Sequence, residues 1–275
     1  MDMARRMWDA VAQKSVGRWT GRTVKGLGVV IGLLFSLGAA CAAMAQGAAA
    51  PPERLRDVHR IVCLGDSITQ MGESPGGYVW IVRRYLTALY PDIEVINAGI
   101  SGHKSTDMLA RFQRDVLDKK PQLVTISVGV NDVWHGFYDN HPDGDGPRGV
   151  KLPDYRKNVE EMIRLAEAAS VRVVVLSTTV IHEDLQNPEN AKLVGYNDAL
   201  RDLARRHHAP FVDFQKPFHA LIADYRATGA RDDLLTVDGV HMNALGNKVM
   251  AQTILTGLGV PPEDRERVRA AAERR

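Results

Sequence analysis

The sequence is poor in cysteine, with Cys41 and Cys63 as the only two among 275 residues. If Cys41 is removed with a leader segment, no internal disulfide can form, and the fold must be stabilised by its core alone. The formal net charge is only +2, and no basic stripe with interleaved aromatic residues occurs, which argues against a nucleic-acid partner. The hydrophobic fraction of 45% and the charged fraction of 25% are typical of a globular protein.

Several well-known site motifs are also missing. There is no Walker loop. His182-Glu183 lacks the second histidine of a zinc-binding H-E-x-x-H motif. Residues 139–149 resemble a calcium loop but lack its full acidic spacing and its closing glutamate, so we interpret them as a flexible surface loop.

The longest apolar run lies near the N-terminus, at residues 26–40, after a segment rich in Lys and Arg. An Ala-Met-Ala triplet ending at Ala45 follows, and this order predicts a secretory signal over residues 1–45. An uncleaved membrane anchor is an alternative, although the run is short of the roughly 20 residues of a span. A lipoprotein attached at Cys41 is another, but the residues before this cysteine match that signal poorly. We expect a secreted or periplasmic protein.

Short apolar runs alternate with helical patterns between residues 58 and 258, which we expect to form the folded domain. The runs are near-continuously apolar, as is typical of strands covered on both faces. Five strands, each followed by a helix, predict an α/β fold with a parallel sheet and helices on both faces. The predicted strands are 61–64, 93–97, 123–128, 171–176 and 211–214, and the predicted helices are 78–89, 106–117, 153–169, 189–206, 218–227 and 244–256.

The segments that flank this domain differ from it in composition. Residues 46–57 are small, charged and proline-containing, which is typical of a linker. Residues 259–275 are highly charged and predict a C-terminal tail, either a solvated helix or a frayed end.

Polar residues follow the first three predicted strands. Gly65-Asp66-Ser67 comes after the first, the stretch 97–107 after the second, and Gly129-Val130-Asn131-Asp132 after the third. Ligands of parallel sheets bind at the carboxyl ends of the strands, so these three segments are expected on one rim. Gly-Asp-Ser is also common in turns and helix caps, and Asp66 and Asp132 are better explained as caps or loop braces than as catalysts.

Asp238 precedes His241 by three residues, a spacing that can place both side chains on one side of a turn. The aspartate can then accept the Nδ1 hydrogen of the histidine and leave Nε2 free to take a proton from a serine hydroxyl. Ser67 is the candidate nucleophile, because it lies at a strand-to-helix turn where its own N–H can face an oxyanion. The Gly102 N–H and the Asn131 side-chain amide are the further oxyanion donors that we expect.

Four blocks therefore occur in order: GDSIT, NAGISG, GVND and DGVH. Over roughly residues 59 to 257, the chain resembles the SGNH (GDSL-type) hydrolase family. The resemblance implies a flavodoxin-like three-layer α/β/α fold with a five-stranded parallel sheet, and no metal or organic cofactor. It also assigns the nucleophile, the oxyanion donors and the acid–base pair to the same five residues: Ser67, Gly102, Asn131, Asp238 and His241.

We expect a serine esterase that hydrolyses short-acyl esters, above all acetyl esters of carbohydrates. The alternatives are a lysophospholipase or thioesterase, an O-acetyltransferase on the same scaffold, or a noncatalytic glycan-binding module. A small-molecule or glycan ester is the expected partner, and we expect no stable membrane insertion of the mature chain. Trp80, Trp134, Phe137 and Tyr138 can stack on a sugar, line an acyl groove or pack in the core. His103 and His135 are expected to be peripheral to the site.

Overall fold

The computed structural model describes residues 50–273. The predicted signal at residues 1–45, including Ala45 and the lipoprotein alternative at Cys41, lies outside the described residues. Between residues 50 and 273, no helix combines the length and the hydropathy that crossing a membrane requires.

Five parallel strands form one sheet. They are β1 Arg60–Gly65, β2 Glu94–Gly99, β3 Leu123–Ser127, β4 Arg172–Leu176 and β5 Phe211–Val212, and their order in the sheet is β2-β1-β3-β4-β5. Gly65, the last residue of β1, is in register with Gly99, the last residue of β2. The carboxyl ends of the strands therefore share one edge, as the sequence predicted, and the predicted α/β fold with a parallel sheet is confirmed.

Helices cover both faces of the sheet. The α-helices of the described residues are α1 Ser67–Met71, α2 Tyr78–Leu89, α3 Ser105–Ala110, α4 Phe112–Asp115, α5 Val130–Trp134, α6 Leu152–Ala168, α7 Pro188–Arg206, α8 Gln215–Arg226, α9 Ala244–Gly257 and α10 Pro262–Ala272. On one face α2 packs against α9 and α10, and on the other α6 packs against α3, α7 and β4. Short 3-10 turns occupy Glu53–Leu55, Leu117–Lys119 and His135–Phe137.

Several elements differ from their sequence-based predictions, including helix α8, which begins at Gln215 rather than at residue 218. The single helix predicted over 106–117 is split into α3 and α4 at Arg111, whose φ and ψ of −106° and 4° are not helical. The side chain of Arg111 is buried, and its hydrogen bonds to the strand ends fix its place. Strand β5 stops after Val212, because the N–H of Phe214 donates to the Ser177 hydroxyl rather than to the sheet.

Both flanking segments contact the sheet domain. In the segment predicted as a linker, Leu55 is buried and the carbonyl of Arg56 accepts a 2.6 Å hydrogen bond from Arg172. In the segment predicted as a tail, the carboxylate of Glu273 at the end of α10 accepts a 2.8 Å hydrogen bond from the Tyr85 hydroxyl. The core thus extends beyond the boundaries that composition alone suggested, since Leu55 is an apolar residue that fills it.

Cys63, on β1, is the one cysteine of the described residues, and it is a buried free thiol. Burial raises the pKa of this thiol to about 11, and the nearby Thr125 side chain only partly opposes that rise. Cys63 therefore acts as a small apolar residue of the core, as the strand pattern indicated.

Candidate active site

Ser67 is the first residue of α1, directly after β1 ends. Asp66 caps this helix, because its Oδ1 accepts a 2.9 Å hydrogen bond from the N–H of Ile68. A side chain at Gly65 would overlap Thr69, so only glycine lets the chain turn this closely. Ser67 is 7% exposed. The turn thus presents a nearly buried hydroxyl at the carboxyl edge of the sheet.

The aspartate and histidine of the fourth block meet this hydroxyl. His241 Nε2 lies 2.8 Å from Ser67 Oγ, and His241 Nδ1 lies 2.6 Å from Asp238 Oδ2. A carboxylate accepts only, so the proton between the latter pair belongs to Nδ1. Nε2 of the neutral ring is then the acceptor for the serine O–H, which is the tautomer that a general base needs.

Asp238 is held by backbone hydrogen bonds as well. Its Oδ1 accepts from the N–H groups of Val240 at 3.0 Å and of His241 at 2.8 Å. Burial acts to raise the pKa of Asp238, but the hydrogen bonds from His241 and these backbone groups outweigh it and lower the pKa. The carboxylate is therefore ionised at neutral pH and oriented before any substrate binds.

The two further predicted oxyanion donors are joined to this turn: Gly102 lies on the loop after β2, and Asn131 lies in the first turn of α5. Gly102 has a φ of +77°, a conformation that suits glycine. The residue before it, Ser101, donates its N–H to the Gln70 side chain of α1 at 2.7 Å. The residue after it, His103, accepts a 3.1 Å hydrogen bond at its carbonyl from Asn131 Nδ2. Since an amide carries two hydrogens, one N–H of Asn131 remains for a ligand.

Arg111 is a buried cation that the motif search missed. Its guanidinium donates to the carbonyls of Gly65 and Ala98, each at 2.8 Å, and its Nε donates to His103 Nδ1 at 3.0 Å. It also forms a 3.0 Å ion pair with Asp115. One side chain therefore joins the ends of β1 and β2 to the loop that carries Gly102. The sequence signal was slight: a single arginine within an otherwise helical pattern.

Asp132 braces the same region from the α5 side. Its carboxylate accepts from the N–H of Ser105 at 2.9 Å, and the side chain is 1% exposed. Burial raises the pKa of Asp132 to about 7, although the contacts with Ser105 oppose that rise. Burial likewise raises the pKa of Asp66 to about 6, partly opposed by the Ile68 N–H.

Glu183 supports the segment that leads into the Asp238–His241 turn. It is 2% exposed, and its carboxylate accepts hydrogen bonds from the N–H groups of residues 234, 235 and 236 at 2.7–2.8 Å, and from the Thr236 hydroxyl at 2.9 Å. Its neighbour His182 donates its N–H to the carbonyl of Gly239 at 2.7 Å. From the sequence, His182-Glu183 was interpreted only as an incomplete zinc motif. The signal that the sequence offered for Glu183 was a carboxylate two residues after the apolar pair Val180-Ile181.

The loop at 139–149 carries ion pairs. Lys192 lies 2.8 Å from Asp145, and Arg148 lies 3.6 Å from Asp139. Among residues 50–273, no group of three or more His, Cys, Asp or Glu side chains is arranged to hold a metal ion.

The fold and this edge of the sheet define the class of protein. It is an α/β/α protein in which a serine hydroxyl is hydrogen-bonded to a histidine ring, and the same ring is hydrogen-bonded to an aspartate. Residues 63–249 match the model of the GDSL-like Lipase/Acylhydrolase family, and the chain belongs to that family. The family resemblance of the four blocks is thereby confirmed. Curated esterases among its relatives show the protein to be an esterase, a hydrolase of carboxylic esters.

Three relatives illustrate the similarity. An acetylxylan esterase of Geobacillus stearothermophilus is 28% identical over 217 residues, which are 73% of this chain and 94% of the relative. An uncharacterized lipoprotein, YqeF of Bacillus subtilis (strain 168), is 26% identical and covers 74% of this chain and 90% of its own length. The crystal structure of the acetyl xylan esterase AlAXEase superposes with a TM-score of 0.66 at 29% identity, covering 74% of this chain and all of that one.

Proposed function

We propose that this esterase uses Ser67, His241 and Asp238 as a catalytic triad and hydrolyses short-acyl esters of carbohydrates, acetyl esters above all. The observation that carries the proposal is the continuous hydrogen-bond chain from Ser67 Oγ through the His241 ring to Asp238 Oδ2, with distances of 2.8 and 2.6 Å. A serine hydroxyl is a weak nucleophile unless a base this close can accept its proton.

Two comparisons support the proposal. Solved structures of the Geobacillus stearothermophilus acetylxylan esterase include catalytic mutants in which a serine, an aspartate and a histidine are replaced. In that enzyme the aspartate precedes the histidine by three positions, as Asp238 precedes His241 here. The substrate class is proposed from the names of this relative and of AlAXEase, which describe acetylated xylan.

In the proposed mechanism, His241 Nε2 removes the proton of Ser67 as Oγ attacks the ester carbonyl. The N–H of Ser67, the N–H of Gly102 and the free amide hydrogen of Asn131 donate to the resulting oxyanion. His241 next protonates the leaving alcohol, and an acyl-enzyme remains on Ser67. Water, activated by the same histidine, attacks this ester and releases the acid, which restores the serine hydroxyl.

The geometry of the site supports these roles of Asp238 and His241. Asp238 accepts two backbone hydrogen bonds at Oδ1 while Oδ2 contacts the imidazole, so the ring needs no reorientation between steps. Its ionised carboxylate stabilises the imidazolium that forms in each step. Removing one oxyanion donor from such a site typically costs about 10²–10³ in kcat.

We also propose that residues 1–45 act as a secretory signal and that the enzyme works outside the cytoplasm. The order of a basic segment, an apolar run and small residues before Ala45 supports this proposal. Mass spectrometry of the protein purified from the medium or periplasm would test it, with residue 46 expected as the first residue. A lipid-modified protein beginning at Cys41 would contradict it.

A hydrolysis panel tests the catalytic proposal. The panel holds methyl esters of increasing acyl length, acetylated xylosides, a lysophospholipid and an acyl thioester, each assayed beside Ser67→Ala. We expect the highest kcat/KM on the acetylated xylosides and loss of all turnover in the variant. A preference for the lysophospholipid or thioester would replace the proposed substrate class, and acyl transfer to added xylose with little free acid would indicate a transferase. Turnover by Ser67→Ala would refute the mechanism.

A further inference from the structure

Trp134 lies on the same side of helix α5 as Asn131. The two residues are three positions apart, and residues with this spacing face the same side of a helix. The indole ring meets the His182 ring nearly perpendicularly, with centroids 6.3 Å apart and an interplanar angle of 88°. Trp134 therefore extends from the proposed oxyanion donor toward the segment that carries His182.

His182 in turn lies against the turn that carries the proposed acid–base pair. Its N–H donates to the carbonyl of Gly239 at 2.7 Å, and a side chain at residue 239 would overlap its ring nitrogen Nδ1. Gly239 directly follows Asp238 and lies two residues before His241. The Trp134–His182 pair therefore spans from the oxyanion side of the site to the histidine side and forms a wall beside it.

Of the four aromatic residues that the sequence suggested, Trp134 is the one best placed for a ligand. Trp80 lies on α2, and its ring is covered by the guanidinium of Arg84 at 5.3 Å. Tyr138 stacks on His135, with ring centroids 5.0 Å apart, and the guanidinium carbon of Arg148 lies 4.7 Å from the centroid of the Tyr138 ring. The ring of Phe137 packs against the backbone position of Gly144.

The wall formed by Trp134 and His182 is apolar over the ring faces and polar at the ring nitrogens. Within residues 50–273 the indole N–H of Trp134 donates no hydrogen bond, and Trp134 is only partly buried. His135, whose ring lies 6.2 Å from Trp134, is partly buried. This burial, together with Lys104 and Arg148, lowers the pKa of His135, so the neutral ring offers one donor and one acceptor.

We propose that Trp134 and His182 form the surface that holds the sugar ring of an acylated saccharide while its ester lies at Ser67. The carbon–hydrogen face of a pyranose packs on the indole ring of Trp134. The hydroxyls of the sugar form hydrogen bonds with the indole N–H and with the ring nitrogens of His182. An acyl chain at the same place would leave these polar groups without partners, which is costly. This inference rests on the proposed carbohydrate esterase function.

Kinetics with three esters test the inference. Methyl acetate has the acyl group without a sugar, methyl tri-O-acetyl-β-xylopyranoside has both, and methyl hexanoate has a longer acyl chain. For Trp134→Ala we expect KM on the xyloside to rise about tenfold, equivalent to about 1.4 kcal/mol, with kcat/KM on methyl acetate essentially unchanged. Trp134→Phe should recover most of the loss, and Trp80→Ala is the matched tryptophan control.

A binding measurement separates this inference from the proposed function. In the Ser67→Ala background, saturation-transfer NMR with the acetylated xyloside should show transfer that Trp134→Ala abolishes. If the wild-type enzyme fails to cleave the xyloside but this transfer is seen, the proposed substrate class is wrong, whereas the proposed contact between Trp134 and the sugar ring is supported. An unchanged KM in Trp134→Ala, an equal loss on methyl acetate, or a larger loss on methyl hexanoate than on the xyloside would each overturn the contact.

Discussion

Gly239 is the position at which a single methyl group should disable the esterase most selectively. Its φ is +88°, a left-handed conformation that costs a residue with a side chain about 1–2 kcal/mol. A Cβ built at residue 239 overlaps His182 Nδ1 and lies 3.2 Å from the Cα of His182. The second contact is with backbone, so His182 cannot relieve it by a change of rotamer.

The expected cost of Gly239→Ala therefore has two parts. The backbone conformation contributes about 1–2 kcal/mol, and overpacking against His182 adds about 1–3 kcal/mol. Because Asp238 and His241 flank the glycine, the turn should shift, and the 2.8 Å contact from His241 to Ser67 should lengthen. A displacement of about 1 Å in such a site can reduce the rate about 100-fold.

Gly229→Ala is a matched control for this experiment. Gly229 has a φ of +89°, but a Cβ built there meets no atom within 4 Å. It should therefore lose only the backbone part of the stability and keep its full kcat. In the double variant His182→Ala/Gly239→Ala, part of the activity should return, because the side-chain overlap is gone while the contact with the backbone of residue 182 remains.

Urea unfolding and initial rates on methyl acetate measure the two quantities separately. The reasoning is refuted if Gly239→Ala loses no more stability than Gly229→Ala and its kcat stays within about twofold of the wild type. A double variant that is as inactive as Gly239→Ala would show that the clash with the histidine ring is not the cause.

Three further predictions concern the proposed triad and its supports. Ser67→Ala and His241→Ala should each lose nearly all turnover while keeping the wild-type circular dichroism spectrum; an unfolded variant would mean that the hydroxyl or ring is structural. Asp238→Asn should reduce kcat less than His241→Ala, because an amide oxygen can still accept the two backbone N–H groups; a smaller loss in His241→Ala would contradict this. Burial raises the pKa of Asp132 from 3.8 to about 7, so its contribution to stability is complete below about pH 4 and is lost as the pH rises toward 7. Asp132→Asn should therefore gain stability relative to the wild type across that range, by a few kcal/mol at most at about 1.4 kcal/mol per pKa unit; parallel urea-unfolding curves for the two proteins from pH 4 to pH 7 would exclude the effect.

The sequence predicted best the features that depend on local patterns. Helix α2 spans the predicted residues 78–89 because its apolar spacing has a helical period over three turns. Helix α9 starts after the predicted cap, Asn243, whose side chain accepts from the N–H groups of Leu245 and Gly246. The common rim followed from parallel strands alone, since their carboxyl ends must share an edge.

Contacts between distant segments were beyond the reach of these patterns. Arg111 interrupts a helix because its guanidinium bonds with Gly65, 46 residues earlier, and no local propensity encodes that. Glu183 holds Thr236, 53 residues later, through backbone groups whose positions exist only in the folded protein. The family blocks named the five candidate residues of the site and contain Asp66 and Asp132, but Arg111 and Glu183, which also support the site, belong to no block.

The buried thiol of Cys63 has a practical consequence for handling this enzyme. Thiolates, not thiols, react with alkylating and oxidising reagents, and a pKa of about 11 in a closed core keeps this group protonated. If residues 1–45 are removed as proposed, a cysteine introduced on the surface would thus be the sole thiol that maleimide dyes modify in the folded protein. A fluorophore attached beside Trp134 and His182 would then test for binding of a polysaccharide at these residues, without any prior removal of native cysteines.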